Sequence, residues 1–198
     1  MTLNGDNQLR TRDPARKEKI LEAAAVLVSR NGFHAVSMAD IGYEAGITGS
    51  GVYRHFGSKA EILVTLFERA IDDLLREEDV TLRANPDLCE ALNLLIAGQV
   101  EFVIKDRTLA QVYHNEVHNL PEEDRVRLRR KQRLYLEEWV HLLGEIHLGI
   151  DDAAARTLVH GAIGAIQSSL FHNVGLDDER LREILTRSAH AVLSLATP

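Results

Sequence analysis

Residues 37–59 run SMADIGYEAGITGSGVYRHFGSK. Ser37, with Asp40 three residues on, approximates a capping box in which Asp stands where Glu or Gln is usual; it opens a helix from about Met38 to Ala45. Gly46 ends that helix and lets the chain reverse. Thr48 caps a second short run reaching about Arg54, and Ile41, Ile47 and Val52 are spaced to pin the two together. Two short helices about a glycine turn are the build of a helix-turn-helix, whose second helix lies in a DNA major groove.

The start of that second helix is bare: Thr48, Gly49, Ser50, Gly51. Small residues let a backbone lie close to base edges and phosphates, and amides at a helix start favour an anion. A glycine inside a helix costs about 1 kcal/mol against alanine, so the pattern predicts a purpose other than stability. Tyr53-Arg54-His55-Phe56 follows. Phe56 stands at helical spacing from Val52 and is expected to be buried. Tyr53 suits a phosphate or a thymine methyl, while His55 and Lys59 suit phosphates, with Ser58 capping the next helix.

The segment Ser37–Leu63 resembles the signature of the TetR (tetracycline-repressor-like) family: a Ser/Thr cap, Asp-Ile, Ala-Gly-Ile, then Tyr-x-x-Phe-x-Ser-Lys and a Leu-rich fourth helix. The likeness is strongest over residues 14–65. It implies base contacts from Thr48, Gly49, Ser50 and Tyr53, and phosphate contacts from Ser37, Thr48, Tyr53, His55 and Lys59, with Arg54 serving either purpose or a surface ion pair. Gly42 departs from the family's usual Ala and is expected to loosen the second helix slightly.

Outward from this motif, helical periodicity dominates. Asp13-Pro14 reads as an N-cap with proline at the first helical position, and Ile20, Ala23, Ala24, Leu27 and Val28 form an apolar stripe that Asn31-Gly32 stops. A long helix runs from Lys59 to about Leu82, with Ile62, Leu63, Leu66, Ile71 and Leu74 as its buried side. Beyond Asn85-Pro86 the helices fall at about 87–104, 106–118, 122–148, 151–172 and 177–195. Nine helices without a strand predict an all-α protein. Its expected plan is a flexible tail at 1–13, a three-helix DNA-binding domain at 14–60, and a helical ligand-binding and dimerisation domain at 61–198.

Composition agrees. A hydrophobic share of 45% and a charged share of 27% exclude disordered and fibrous classes. The net charge of −7 argues against a nucleic-acid partner until the chain is split. Residues 1–59 carry eight Lys/Arg against six Asp/Glu, whereas the remainder carries fifteen against twenty-four, so a mildly basic head precedes an acidic body. The single cysteine, Cys89, reads as a small buried hydrophobe and excludes an intrachain disulfide. The first residues, MTLNGDNQLRTRDP, lack an apolar leader core, and no apolar run approaches the ~18–20 residues of a membrane helix; a cytoplasmic protein is expected.

One helix-turn-helix reads few base pairs, so a homodimer on a palindromic operator in double-stranded DNA is expected. Gly161, Ala165, Ser168 and Ser169 share a face of small side chains, and Leu181, Ile184 and Leu185 stripe the last helix; these are the expected dimer surface. For a small-molecule effector, Arg129 or Arg133 is placed to receive an anionic headgroup, with Phe102, Tyr113, Glu116, Val117, Leu136 and Trp139 around a greasy tail. The run from Tyr113 to Trp139 is similar to TetR-family repressors that sense acyl-CoA thioesters. His114 and His118, four apart, share a helix face and open a metal reading, but Asn115 stands where a zinc protease has Glu. No phosphate loop, nucleophile elbow or paired-carboxylate pattern appears, so no catalytic residue, metal or cofactor is expected. A repressor released by its effector is the leading reading. A metal- or co-repressor-responsive regulator of the same fold is the alternative, and an all-α enzyme or helical adaptor the remote one.

Overall fold

The computed structural model describes residues 14–85, 87–172 and 175–196; the tail, the cap at Asp13 and Pro86 of the predicted break lie outside them. Every regular element among these residues is helical: α1 (Pro14–Asn31), α2 (Met38–Glu44), α3 (Gly49–Val52), α4 (Lys59–Ala84), α5 (Leu88–Lys105), α6 (Arg107–Glu116), α7 (Glu122–Ile146), α8 (Asp152–Gln167) and α9 (Asp178–Leu193). Short 3-10 turns follow α6, α8 and α9. The chain forms two compact units, dividing inside α4 between Leu63 and Val64.

In the first unit α2 packs against α1 and α3. The 3.6-residue period of α1 turns Ile20, Leu21, Ala24 and Val28 inward, where Ile41, Val52, Phe56 and Ile62 are also buried. Gly46 takes φ +69°, the left-handed backbone that glycine adopts without strain, and reverses the chain after α2. In the second unit α5 packs against α7 and α9, and α8 against α7 and α9. Ile96, Val100, Trp139, Leu143, Val159, Ala162 and Ile166 form its dry centre. Asp87, Asp151 and Asp177 begin α5, α8 and α9, each carboxylate accepting the amide three residues on, at 3.0, 2.9 and 2.8 Å. Each such cap is worth about 1 kcal/mol.

Three local expectations are corrected. The short helix that Thr48 caps ends at Val52 rather than Arg54. The helix through His114 ends at Glu116, and His118 lies in the 3-10 turn Val117–Asn119, so the two histidines do not share one continuous α-helical face. Cys89 is exposed in the first turn of α5, not buried. Of the predicted dimer surface, Ser169 and Leu185 are buried within their own unit, and Gly161 faces its own α9: a β-carbon there would stand 3.1 Å from Val192 Cγ1. Gly161 thus serves the packing of α8 on α9, and Ile184 is the exposed member of the α9 stripe. No helix among the described residues is long and apolar enough to cross a membrane.

Candidate nucleic-acid interface and interior cavity

The capping box at α2 is complete. The Ser37 hydroxyl accepts from the Asp40 amide at 3.1 Å, and the Asp40 carboxylate takes the Ser37 amide at 2.8 Å and its hydroxyl at 2.6 Å. Those two donors hold the Asp40 carboxyl below the usual carboxylate range. At α3 the Thr48 hydroxyl accepts from the Gly51 amide at 3.1 Å and lies 3.0 Å from the Ser50 hydroxyl. Thr48, Ser50, Tyr53 and Arg54 are exposed, and Gly49 and His55 are partly so. Tyr53, which caps α3, leaves 59% of its surface in solvent, while Val52 and Phe56 beside it are buried. The buried pair anchors the turn and the polar side chains stand outward from it. Arg16 of α1 lines a shallow recess with Ile47, Thr48, Gly51, Arg54 and His55.

The glycines have a packing reason that the sequence reading missed. Gly42 is buried, and a β-carbon on it would lie 2.9 Å from the Gly49 nitrogen and 3.0 Å from the Ile47 carbonyl oxygen. Gly49 itself sits over Ala39 of α2, its would-be β-carbon 3.2 Å from the Ala39 Cα. Gly42 therefore closes the helix pair rather than loosening it. Lys59 also has a structural role that the sequence did not signal. Its ammonium donates to the carbonyls of Phe33 and, at 2.7 Å, Val36, and sits 4.3 Å from the centre of the Phe33 ring. Two of its three donors are thus engaged within the protein. Ser58 caps α4 through the Glu61 amide at 3.1 Å, and the Glu61 carboxylate accepts from the Gly57 amide at 2.6 Å.

Two exposed groups of this unit escaped the sequence reading. Tyr43, 87% exposed, stands off the apolar stripe of α2, and an aromatic off the stripe was the signal available. Arg16 carried no local signal, because its place beside Thr48 is set by the packing of α1.

The second unit holds a cavity of about 110 Å³. Phe67, Ile71 and Leu74 of α4, Phe102 and Val103 of α5, and Leu136 of α7 give it apolar walls, and Gln99, Tyr113, His114, Gln132, Tyr135 and Gln167 supply the polar atoms. The Tyr113 ring meets Phe67 edge-on at 4.9 Å, and its hydroxyl lies 3.4 Å from the Gln132 amide oxygen. Burial pushes the Tyr113 phenol up, partly offset by the positive charge of Arg129. His114, on the same lining, is exposed and meets Phe171 edge-on at 4.6 Å.

Of the predicted ligand residues, Phe102, Tyr113 and Leu136 line this cavity. Trp139 is fully buried in the core instead. Glu116 accepts from Asn119 at 2.7 Å, and Val117 lies in the turn after α6; neither reaches the lining. Arg129 is exposed, 3.3 Å from Glu122, and Arg133 is exposed about 100° around α7 from Gln132. No Lys, Arg, Asp or Glu lines the cavity among the described residues. Deeper in the unit, Glu78 of α4 is 3% exposed, and burial together with the Glu138 charge pushes its carboxyl to about 8. Among the described residues no group of three or more His, Cys, Asp or Glu is placed to hold a metal ion.

Against known proteins, residues 20–66 match the family model described as bacterial regulatory proteins, tetR family. The chain is 25% identical over 155 residues to the fatty acid metabolism regulator protein of Bacillus subtilis (strain 168), covering 73% of this chain and 78% of that one. The fold is that of a TetR-family transcriptional regulator from Bordetella parapertussis 12822, at a TM-score of 0.80 and 20% identity over 90% of this chain and 95% of that one. It is likewise that of the transcriptional regulator FadR from Bacillus subtilis in complex with stearoyl-CoA, at 0.72 and 23% identity over 91% and 97% of the two chains.

Proposed function

We propose that this chain, whose residues 20–66 match the model of bacterial regulatory proteins of the tetR family, is a transcriptional repressor released from a palindromic operator by an acyl-CoA-like effector. The observation that carries the reading is the exposed set Thr48, Ser50, Tyr53 and Arg54, held on a turn whose Val52 and Phe56 are buried. Side chains fixed at their base and free at their tips are what direct reading of base edges requires. Gly49 offers close backbone approach, and His55 and Ser37 are backbone contacts; Lys59 has one ammonium hydrogen left for a phosphate after its two carbonyls. Residues 14–60 are assigned to DNA reading and 61–198 to effector binding and dimerisation.

The effector site is assigned to the cavity of the second unit, with Phe102, Tyr113 and Leu136 as contacts. The stearoyl-CoA complex of the Bacillus subtilis regulator supports a thioester. Apolar walls suit the acyl chain, and a cavity of the order of the ~150 Å³ void that accepts benzene favours a chain much shorter than stearoyl. Phe67, Ile71 and Leu74 put the ligand against α4, the helix that begins at Lys59. An effector shifts the regulator only by its preference for the released state. The homodimer is assigned to α8 and α9 through Ile184 and its neighbours. The protein is assigned to the cytoplasm and to no catalytic reaction.

Fluorescence anisotropy of labelled DNA flanking the protein's own gene, titrated with butyryl- to stearoyl-CoA, tests this reading. Release by the short chains supports it, and DNA binding that no thioester alters removes the effector assignment.

A further inference from the structure

Gln99 lies in the middle of α5, on the wall of the cavity, and only 3% of it is exposed. Its side-chain oxygen has no hydrogen-bond partner among the described residues. Nine in ten or more buried polar groups are paired, because an acceptor removed from water without a donor is costly. Polar groups share the lining with it, but none is bonded to this oxygen: the Tyr113 hydroxyl lies at Gln132, and neither Tyr135, His114 nor the amides of Gln132 and Gln167 partners it. The oxygen is closed to solvent as it stands, and a donor entering the cavity reaches it by a turn of the Gln99 side chain toward the lining it belongs to.

We propose that Gln99 is a specificity-determining residue that selects a hydroxyl-bearing acyl chain over the saturated chain of the same length. The inference rests on the reading of this cavity as the effector site. With no cation or carboxylate on the lining among the described residues, the part of the ligand that enters is uncharged. The chain hydroxyl donates to the Gln99 oxygen, and the rest of the chain lies against Phe67, Phe102 and Leu136. Charge on the ligand stays outside, towards exposed His114. A site built to hydrogen-bond a hydroxyl rejects the analogue lacking it, because that analogue leaves the buried group unpaired.

The test is calorimetric titration of the purified full-length protein with hexanoyl-, 3-hydroxyhexanoyl- and 6-hydroxyhexanoyl-CoA, repeated on Gln99→Leu and Gln99→Met. The two hydroxylated probes place the donor at different depths. The expected result is that one of them binds the unaltered protein at least tenfold more tightly than hexanoyl-CoA, and that both variants invert this order. Both variants should also melt at or above the temperature of the parent, since each replaces a buried amide whose oxygen is unpaired with an apolar side chain of similar size. Equal affinities for all three probes, unchanged by either variant, overturn the role of Gln99 and leave the effector site standing. No binding by any probe, with DNA affinity also unaffected by them, overturns the effector site and this inference together.

Discussion

A β-carbon on Gly42 of α2 would stand 2.9 Å from the backbone nitrogen of Gly49 at the start of α3, closer than non-bonded carbon and nitrogen approach. The two helices of the reading motif are therefore set at a separation that only hydrogen at position 42 permits. Alanine would favour the helix by about 1 kcal/mol in isolation. Here it must push backbone against backbone, and overpacking of that kind costs about 1–3 kcal/mol. Gly42→Ala is expected to lower the thermal midpoint and weaken operator binding, as calorimetry and anisotropy would report. A midpoint raised by the change would mean that the pair is loosely packed.

Lys59 ties the loop before α2 to the first turn of α4 through the carbonyls of Phe33 and Val36. Hydrogen bonds from a charged donor contribute about 1.5–3 kcal/mol. Lys59→Ala should lose stability of that order and also reduce the salt dependence of DNA binding by about one phosphate, ~0.9 in the logarithmic slope. A smaller slope with an unchanged melting temperature would make the lysine a phosphate ligand alone.

Tyr53 stands exposed beside two buried anchors. Tyr53→Ala is expected to cost about 1–3 kcal/mol on operator DNA and distinctly less on random duplex. Tyr53→Phe, which removes the hydroxyl only, separates a phosphate hydrogen bond from contact with a base methyl. Equal losses on both DNAs would assign Tyr53 to the sugar-phosphate backbone.

The helices and the reading motif were legible because their signals are local. A cap at Ser37, a reversal at Gly46 and a stripe from Ile20 to Val28 each depend on residues within a few positions of one another. The roles of Gly42, Lys59 and Arg16 were not legible, since each is fixed by a partner on another element. The cavity was half legible. Phe102, Tyr113 and Leu136 follow from apolar character, but the arginines of α7 were assigned by charge. Their direction around the helix, with Arg133 exposed and Arg129 beside Glu122, decides against the lining. Gln99 gave no signal, because an uncharged amide in an apolar run becomes informative only once its burial is known.

Glu78 makes stability depend on pH. In the folded chain its carboxyl stays neutral up to about 8, against an ordinary 4.5, through burial first and the Glu138 charge second. Between those values the folded state holds a proton that the unfolded state has lost, so stability falls as pH rises through this window. Glu78→Gln keeps the shape and removes the titration. It should raise the thermal midpoint at pH 8 by at least about 3 °C, an effect of roughly 1 kcal/mol in a chain of this size, and change it little at pH 5. A variant whose midpoint tracks the parent at both values would place Glu78 in water.

A DNA-reading role for the exposed side chains about α3 rests on the affinity of the purified protein, stripped of small molecules, for duplex DNA flanking its own gene and for scrambled duplex, across ionic strengths. Tighter binding to the flanking DNA is expected, with log K falling linearly as log salt rises, and loss of that preference on changing Tyr53 and Ser50. Equal, negligible affinity for both duplexes at low ionic strength would contradict it.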